Sequence, residues 1–509
     1  MHQRTNRRNV TIALMVATFL AAMDNTVVST AMPTIVSSLG GLKLFSWVFS
    51  AYMLTMAVTT PIYGKLADLF GRKIIFTIGT ILFLLGSMLS GLAQSMDQLI
   101  WFRAFQGIGA GAVLPVTLTI IGDIYSYERR AKIQGLFSAV WGIAGIAGPL
   151  IGGFFVDYIS WRFIFYINVP VGLVSMVLVW IFLKEDFEPH EAQVDYAGAA
   201  VFTAAVTSLL YALISGGTLY PWNSDIIFIL FAISLVGLIA FVIIEQKSSQ
   251  PMIPPFLFQN RTILVSNVTG LLSGGILMGI SAYLPMWIQG IEGHSATSAG
   301  LTLAPMSLGW FVGATVGGRL MLKIGSKPVS ILGMFFIVLG GFGLTLVAIG
   351  TQQWILISFM VVIGLGYGFS MTAYTVIVQT AVDWEMRGAA TASIQFLRTL
   401  GQTVGVAVLG AWFNHVVSRN IERLGLYQKY GQHMNDLLNP SLAAKLPEAV
   451  LEALRQLLAL ALHNVYLLMA CFAVVGFLIS LALPYQEAPQ EAREEVTREN
   501  SRRTKGKSQ

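Results

Sequence analysis

The sequence predicts an all-α polytopic membrane protein with fourteen transmembrane helices. Three observations predict it. Of 509 residues, 55% are hydrophobic and only 11% are charged, where soluble domains carry about 25% charged residues. The apolar residues are gathered into runs of about twenty, the length needed to cross a bilayer. The cations fall in the loops and tails between those runs. That placement also sets aside a nucleic-acid reading of the net charge of +6.

The runs, taken in order, are roughly 10–31, 45–66, 74–95, 98–121, 133–156, 163–183, 196–215, 226–245, 263–288, 299–322, 329–350, 354–380, 388–413 and 461–484. The first follows Arg4, Arg7 and Arg8, is too long for a signal peptide, and ends at Pro33 without a small-residue cleavage pattern. If every run spans, Arg7/Arg8, Arg72/Lys73, Arg129/Arg130/Lys132, Lys184, Lys247/Arg261, Lys323/Lys327 and Arg387 share one side. The short loops opposite, such as Gln94 to Asp97 and Gly350 to Gln353, are poor in cations. The positive-inside rule then puts both termini in the cytoplasm. One stretch strains the pattern. Residues 414–460 carry Arg419, Arg423, Lys429, Lys445 and Arg455 on the outer side, and Leu446, Val450, Leu451, Leu454, Leu457 and Leu458 recur at helical spacing. An amphipathic helix lying on the outer membrane surface is expected there. The charged tail, 485–509, reads as disordered.

The runs group as six, two and six. The expected divisions are an N-terminal six-helix bundle at 1–183, two linker helices with flanking loops at 184–261, and a C-terminal six-helix bundle at 262–484. Between the second and third runs lies Gly64-Lys65-Leu66-Ala67-Asp68-Leu69-Phe70-Gly71-Arg72-Lys73, a knot of charge and glycine that cannot sit in hydrocarbon. A faded copy, Gly317-Gly318-Arg319-Leu320 then Gly325 and Lys327, begins at the end of the tenth run without the acid. Such internal repeats are common in secondary transporters.

The knot resembles the signature loop of the major facilitator superfamily, with Gly64, Leu66, Asp68, Gly71, Arg72 and Lys73 matching and Leu69 replacing a usual arginine. The 6+2+6 arrangement resembles that family's fourteen-helix drug–proton antiporter branch. By this resemblance Asp68 and Arg72 join Asp123 and the region of Arg387 in a cytoplasmic gate latch.

Asp24, within Met23 to Pro33, lies inside the first span. An aspartate there costs about 2.5–3.5 kcal/mol on insertion, and intramembrane carboxylates usually mark an ion path or a helix–helix contact. The run is similar to a family motif whose Asp is implicated in proton coupling. Arg103, in Arg103-Ala104-Phe105-Gln106-Gly107, cannot shed its charge, so it must snorkel or face a partner. It resembles the family arginine that organises a proton relay, and Gln106, one turn on, is placed to share its network. Arg398 sits in the thirteenth run. Scarcity of deep acids makes an Asp24–Arg398 pairing the expectation for it.

Gly142, Gly145, Gly148, Pro149, Gly152 and Gly153 place small residues along the fifth helix around a proline, a seam for close packing with a bend. The pattern resembles the antiporter motif of the family's exporters. The tract Trp161 to Pro170 is similar to one typical of the fourteen-helix branch. Fold analogy supplies candidate cavity residues: Asn25, Trp141, Asn267, Tyr283, Trp310, Tyr367, Tyr374, Gln379, Gln395 and Gln402. Aromatics among them can hold a lipophilic cation, although an aromatic in a span more often packs.

Six scattered histidines and one cysteine, Cys471, give no metal site, disulfide framework or nucleophile–base pair. No phosphate-binding loop for ATP-driven transport appears. An enzyme is therefore not expected, and no cofactor beyond the proton gradient. The expected protein is a monomeric multi-pass protein of a bacterial cell membrane. It exports small hydrophobic or cationic compounds in exchange for protons, among membrane lipids and without nucleic acid. Export of one endogenous lipid or metabolite is the alternative, and a non-transporting sensor is the reading from another class.

Overall fold

A computed structural model describes residues 5–484 apart from 126, 186–195, 218, 249–250, 252–254, 384–385 and 424–432. The expected tail, 485–509, and the side chain of Asp68 lie outside the described residues. The structure is helical throughout its long elements. These are α1 (Arg7–Leu39), α2 (Phe45–Phe70), α3 (Arg72–Leu92), α4 (Met96–Ile124) and α5 (Tyr127–Tyr158). Then come α6 (Phe163–Phe182), α7 (Tyr196–Ser215), α8 (Asp225–Lys247), α9 (Arg261–Met286) and α10 (Ala296–Ile324). The last are α11 (Ser326–Thr345), α12 (Gln353–Thr380), α13 (Arg387–Arg423) and α14 (Glu448–Leu481). Thirteen segments among the described residues are long and apolar enough to cross a membrane, and Ala197–Leu213 of α7 is a shorter apolar helix.

Helices α1–α6 pack among themselves, with α4 lying against both α2 and α3 and α1 lying against α5 and α6. Helices α9–α14 form the matching group, in which α12 packs on α10 and α11 and α9 packs on α13. The groups meet along three seams, α5 with α10, α2 with α13, and α1 with α9. The hairpin α7–α8 lies over the α2/α13 seam, where Phe202 sits between Phe241 (ring centroids 5.1 Å) and Phe396 (5.4 Å), in one cluster with Leu54, Val58 and Ala407.

The start of α1 hydrogen-bonds the end of α6, Asn6 N to Phe182 O at 3.2 Å, which places both at one end of the molecule. We call this the termini end. At the opposite, far end the groups are tied by hydrogen bonds. Gln289 donates to Thr30 O (2.9 Å), Asn414 to Lys43 O (2.9 Å), and Ala296 N and Thr297 N to the Asp157 carboxylate (3.1 and 2.8 Å). The last contact caps the orphan amides at the start of α10 with a charge from α5.

Two expectations change. Pro33 does not end the first helix; α1 carries through it to Leu39, because neighbouring helices and side chains can take up the backbone group that a proline frees within a packed bundle. The stretch 414–460 is not a helix lying on the membrane surface. Its first part prolongs α13 to Arg423, and its last part is the opening of α14. Leu454, Leu457 and Leu458 are buried. Leu458 and Leu438 both lie against Gly290, in the π-turn that continues α9. The apolar stripe covers protein, so it is a lid on the far end of α9–α14 rather than a lipid-facing surface.

Gly71 and Gly325, the glycines of the two knot copies, adopt nearly the same backbone, φ +91° and +85°, which only glycine takes easily. Each separates two helices by a single residue. The repeat seen in the sequence is thus matched in backbone geometry.

Candidate functional site

Asp24 lies at the middle of α1 and is fully buried, as is Arg103 of α4. Arg103 donates from Nη1 to Asp24 Oδ2 at 2.6 Å, and the pair is the salt bridge that closes the network. Arg103 Nη1 also reaches Gln106 Oε1 at 2.7 Å, and Gln106 Nε2 returns to Asp24 Oδ1 at 2.9 Å. The three-residue step from Arg103 to Gln106 puts both on one face of α4. A third donor comes from α6: Asn168 Nδ2 gives hydrogen bonds to Asp24 Oδ1 (3.1 Å) and Ser87 Oγ (3.0 Å). Ser87 in turn donates to Phe165 O at 2.8 Å. The guanidinium lies over the Tyr52 ring, 4.0 Å from its centroid, a contact worth up to about 2 kcal/mol when desolvated. Arg103 Nε and Nη2 have no hydrogen-bond partner among the described residues. One charge pair and two amides therefore share a dry pocket formed by α1, α2, α3, α4 and α6.

The glycine motif of α5 divides between two faces. A Cβ on Gly148 would meet Thr26 Oγ1, and one on Gly152 would meet Thr30 Oγ1 and lie 2.7 Å from Val27 O. These two glycines seat α5 on the turns of α1 that flank Asp24. Gly145 faces Ser307, Pro149 packs its carbonyl on Gly300, and Gly153 faces Thr297, all in α10. Gly142 has nothing within 4 Å. Residues 145, 149 and 153 repeat every fourth position and line one ridge, as do 148 and 152. One helix is thus clamped to Asp24's helix and to the opposite group together.

At the termini end, Arg72 Nε pairs with Asp123 Oδ2 at 3.0 Å. Glu185, which follows α6, accepts from Arg72 N (2.7 Å) and Lys73 N (3.0 Å) and so caps α3. Lys73 donates to Trp180 O and Leu183 O (2.8 and 3.0 Å) and lies over the Trp180 ring. Gly64 has open space around it, and Arg387 is exposed at the start of α13. The Arg72–Asp123 pair lies within the α1–α6 group.

The Asp24–Arg398 pairing is overturned. Asp24 is saturated by Arg103, Gln106 and Asn168, whereas Arg398 lies in α13 within electrostatic reach of Tyr367 and has no ion pair or hydrogen bond among the described residues. The cavity candidates also separate. Asn25, Trp141, Trp310, Gln379, Gln395 and Gln402 are partly or well exposed. Asn267, Tyr283 and Tyr374 are fully enclosed among helices, and Asn267 donates to Ser393 Oγ at 3.2 Å, so these three stitch α9 and α12 into their group and do not line an open wall. Tyr367 is buried too, donating to Ser273 O at 2.7 Å with its ring stacked on Trp310, centroids 5.2 Å apart. Asn168, Tyr52, Glu185 and Asp157 were given no role from the sequence. Asn168 alone left a signal there, as an amide within an apolar run.

Two helical groups related by repeated motifs, with a buried ion-pair network in one of them, define a polytopic helical membrane architecture. The comparisons place it further. The family model of the Major Facilitator Superfamily matches residues 14–406, and the chain belongs to that family. It is 40% identical over 412 residues to the multidrug transporter protein MdtP of Bacillus subtilis, covering 81% of this chain and 76% of that one. It is 35% identical to multidrug resistance protein 3 of the same organism, over 92% and 93% of the two chains. Among solved structures, a bacterial homolog of the human lysosomal transporter Spinster overlays with a TM-score of 0.69 at 17% identity, covering 95% of this chain and all of that one. The protein is an integral, multi-pass membrane protein.

Proposed function

We propose that this protein is a proton-coupled exporter of hydrophobic or amphipathic drugs that works by alternating access. Its two six-helix bundles, 1–183 and 262–484, rock about a central cleft, with α7 and α8 as two further spans and both termini cytoplasmic. The enclosed Asp24 network carries this reading. A carboxylate held by one guanidinium and two amides has a second stable arrangement. When Asp24 takes a proton, Arg103 keeps Gln106 Oε1 and the Tyr52 ring as partners, so the charge is not stranded. Because Gly148 and Gly152 seat α5 on α1 beside Asp24, a shift of α1 moves α5, and α5 also carries the ridge packed on α10. Proton uptake is thereby linked to the seam between the bundles.

The printed names of the two Bacillus relatives support drug efflux as the direction and cargo. Cations at Arg72, Lys73, Lys184, Lys247 and Lys323 favour a cytoplasmic termini end. The far-end hydrogen bonds between the groups are those of a cleft closed to the outside. Asp68, Arg72, Asp123 and Arg387 are the proposed latch for the opposite state, and the half-exposed Asn25, Trp141, Trp310, Gln395 and Gln402 the proposed cleft wall.

Purified protein in proteoliposomes under an imposed pH gradient tests this. Uphill uptake of a dye in wild type, abolished by collapsing the gradient and by Asp24→Asn, is the expected result. Gradient-driven uptake that persists in Asp24→Asn would move the proton site elsewhere. No gradient-driven uptake by folded wild type would sink the antiport reading.

A further inference from the structure

Arg398 is a permanent cation within the membrane-spanning part of α13 that no described residue neutralises. The charge of Asp24, the acid deep within the spans, is matched by Arg103 at 2.6 Å. Arg398 has no ion pair and no hydrogen bond among the described residues. A guanidinium cannot escape this by losing a proton. Intramembrane cations of this kind face a cavity and mark a substrate or ion path.

The surroundings of Arg398 fit a cavity wall. Thr391, Gln395, Arg398, Thr399 and Gln402 recur at helical spacing and are each at least partly exposed, forming a polar stripe along α13. The neighbouring faces of α13 are occupied: Phe396 and Leu400 pack toward the α7–α8 hairpin, and Gly401 and the Arg398 carbonyl press on α9 at Leu271 and Gly274. The stripe is thus the face left for the cleft. Tyr367 lies within electrostatic reach of Arg398, and its ring is stacked on the half-buried Trp310. The Tyr367 hydroxyl is used on Ser273 O, so Tyr367 itself adds no free donor beside the guanidinium.

We propose that Arg398 is the anion-recognising residue of the cleft and that the exported compounds include aromatic or amphipathic carboxylates, with the carboxylate on the Arg398 guanidinium and the apolar body against Trp310. This rests on the transporter reading and names its substrate class. A guanidinium offers a planar fork that a carboxylate fills with two parallel hydrogen bonds. The unmatched charge also repels the cationic compounds among the hydrophobic or cationic ones expected from the sequence. An anion leaving while a proton enters moves charge in one sense, so the membrane potential drives both halves of the cycle.

The test uses matched acids and esters: rhodamine 110 with its methyl ester rhodamine 123, and 1-pyrenebutyrate with its methyl ester. Binding to full-length protein in lipid nanodiscs is read by fluorescence for wild type, Arg398→Gln and Arg398→Lys. Wild type should bind the acid at least tenfold more tightly than the ester in at least one pair. Arg398→Gln should erase that preference, leave binding of the neutral pyrenebutyrate ester within twofold, and tighten binding of the cationic rhodamine 123. Arg398→Lys, which keeps the charge and loses the fork, should retain part of it and covers the case of a misfolded glutamine variant. The ligand-free Arg398→Gln protein should also have a higher Tm, since an unmatched charge is gone. An acid preference that is absent in both pairs, or that survives in Arg398→Gln, overturns the proposal. Arg398-dependent acid binding without gradient-driven uptake of either rhodamine would overturn the antiport reading instead and leave the anion site standing.

Discussion

Replacing Asp24 with Asn removes the charge and keeps the shape, which leaves the Arg103 guanidinium enclosed with a neutral acceptor. Both side chains are fully buried, so solvent does not screen the loss. Removing one member of a buried pair costs about 3–5 kcal/mol. The lower end applies here, because Gln106 Oε1 at 2.7 Å and the Tyr52 ring at 4.0 Å stay with Arg103. Asp24→Asn should therefore destabilise by about 3 kcal/mol, and Arg103→Gln by a similar amount. The double variant removes both charges. It should lie within about 1–2 kcal/mol of wild type, since exchanging a buried pair for neutral groups is often close to neutral. The assay is equilibrium unfolding of the four proteins in one mixed-micelle system as a double-mutant cycle. Single-variant losses that simply add in the double variant, within about 0.5 kcal/mol, would refute the claim that each charge is held by the other.

Three further outcomes follow from the geometry. Gly152→Ala should destabilise by about 1–3 kcal/mol, because its Cβ would lie 2.7 Å from the Val27 carbonyl, whereas Gly142→Ala, with open space, should stabilise by about 0.5–1 kcal/mol; the same unfolding assay compares them, and equal effects would contradict the division of the motif. Asp157→Ala strips the cap from α10 and should weaken the far-end closure by about 0.5–2 kcal/mol. Labelling of a Thr34→Cys thiol by a membrane-impermeant maleimide, in a Cys471→Ser background, should then speed up. Glu185→Gln should loosen the start of α3 by about 0.5–1 kcal/mol, read as amide exchange at Arg72 and Lys73 faster by about two- to fivefold.

The helices were legible because hydrocarbon imposes its own length on the sequence, and each expected run lies in a helix of the structure. Their ends were less legible. The helix of α13 continues ten residues past the expected 413, to Arg423, and α14 begins at Glu448 instead of 461, because helix beyond the hydrocarbon is free to carry charge. In the pocket, Arg103 and Gln106 could be linked beforehand because they are neighbours on one helix. Asn168 lies 144 positions from Asp24, and no spacing rule joins α6 to α1. The mistaken Asp24–Arg398 pairing shows the same limit from the other side. Counting charges identified the rare residues and said nothing about which cation shared the acid's bundle. The stripe 446–458 was read correctly as amphipathic, but periodicity does not distinguish a face turned to lipid from one turned to protein.

The α7–α8 hairpin has a mechanical consequence. Phe202 is wedged against Phe396 of one bundle and shares a cluster with Leu54 and Val58 of the other, so the α2/α13 side is strapped by a third body while the α5/α10 side is held directly, by the glycine–proline ridge and the Asp157 cap. In the alternating-access cycle proposed above, the α2/α13 seam could open only if the third body moved with one half and slid on the other, whereas the α5/α10 seam would open by unseating its own ridge.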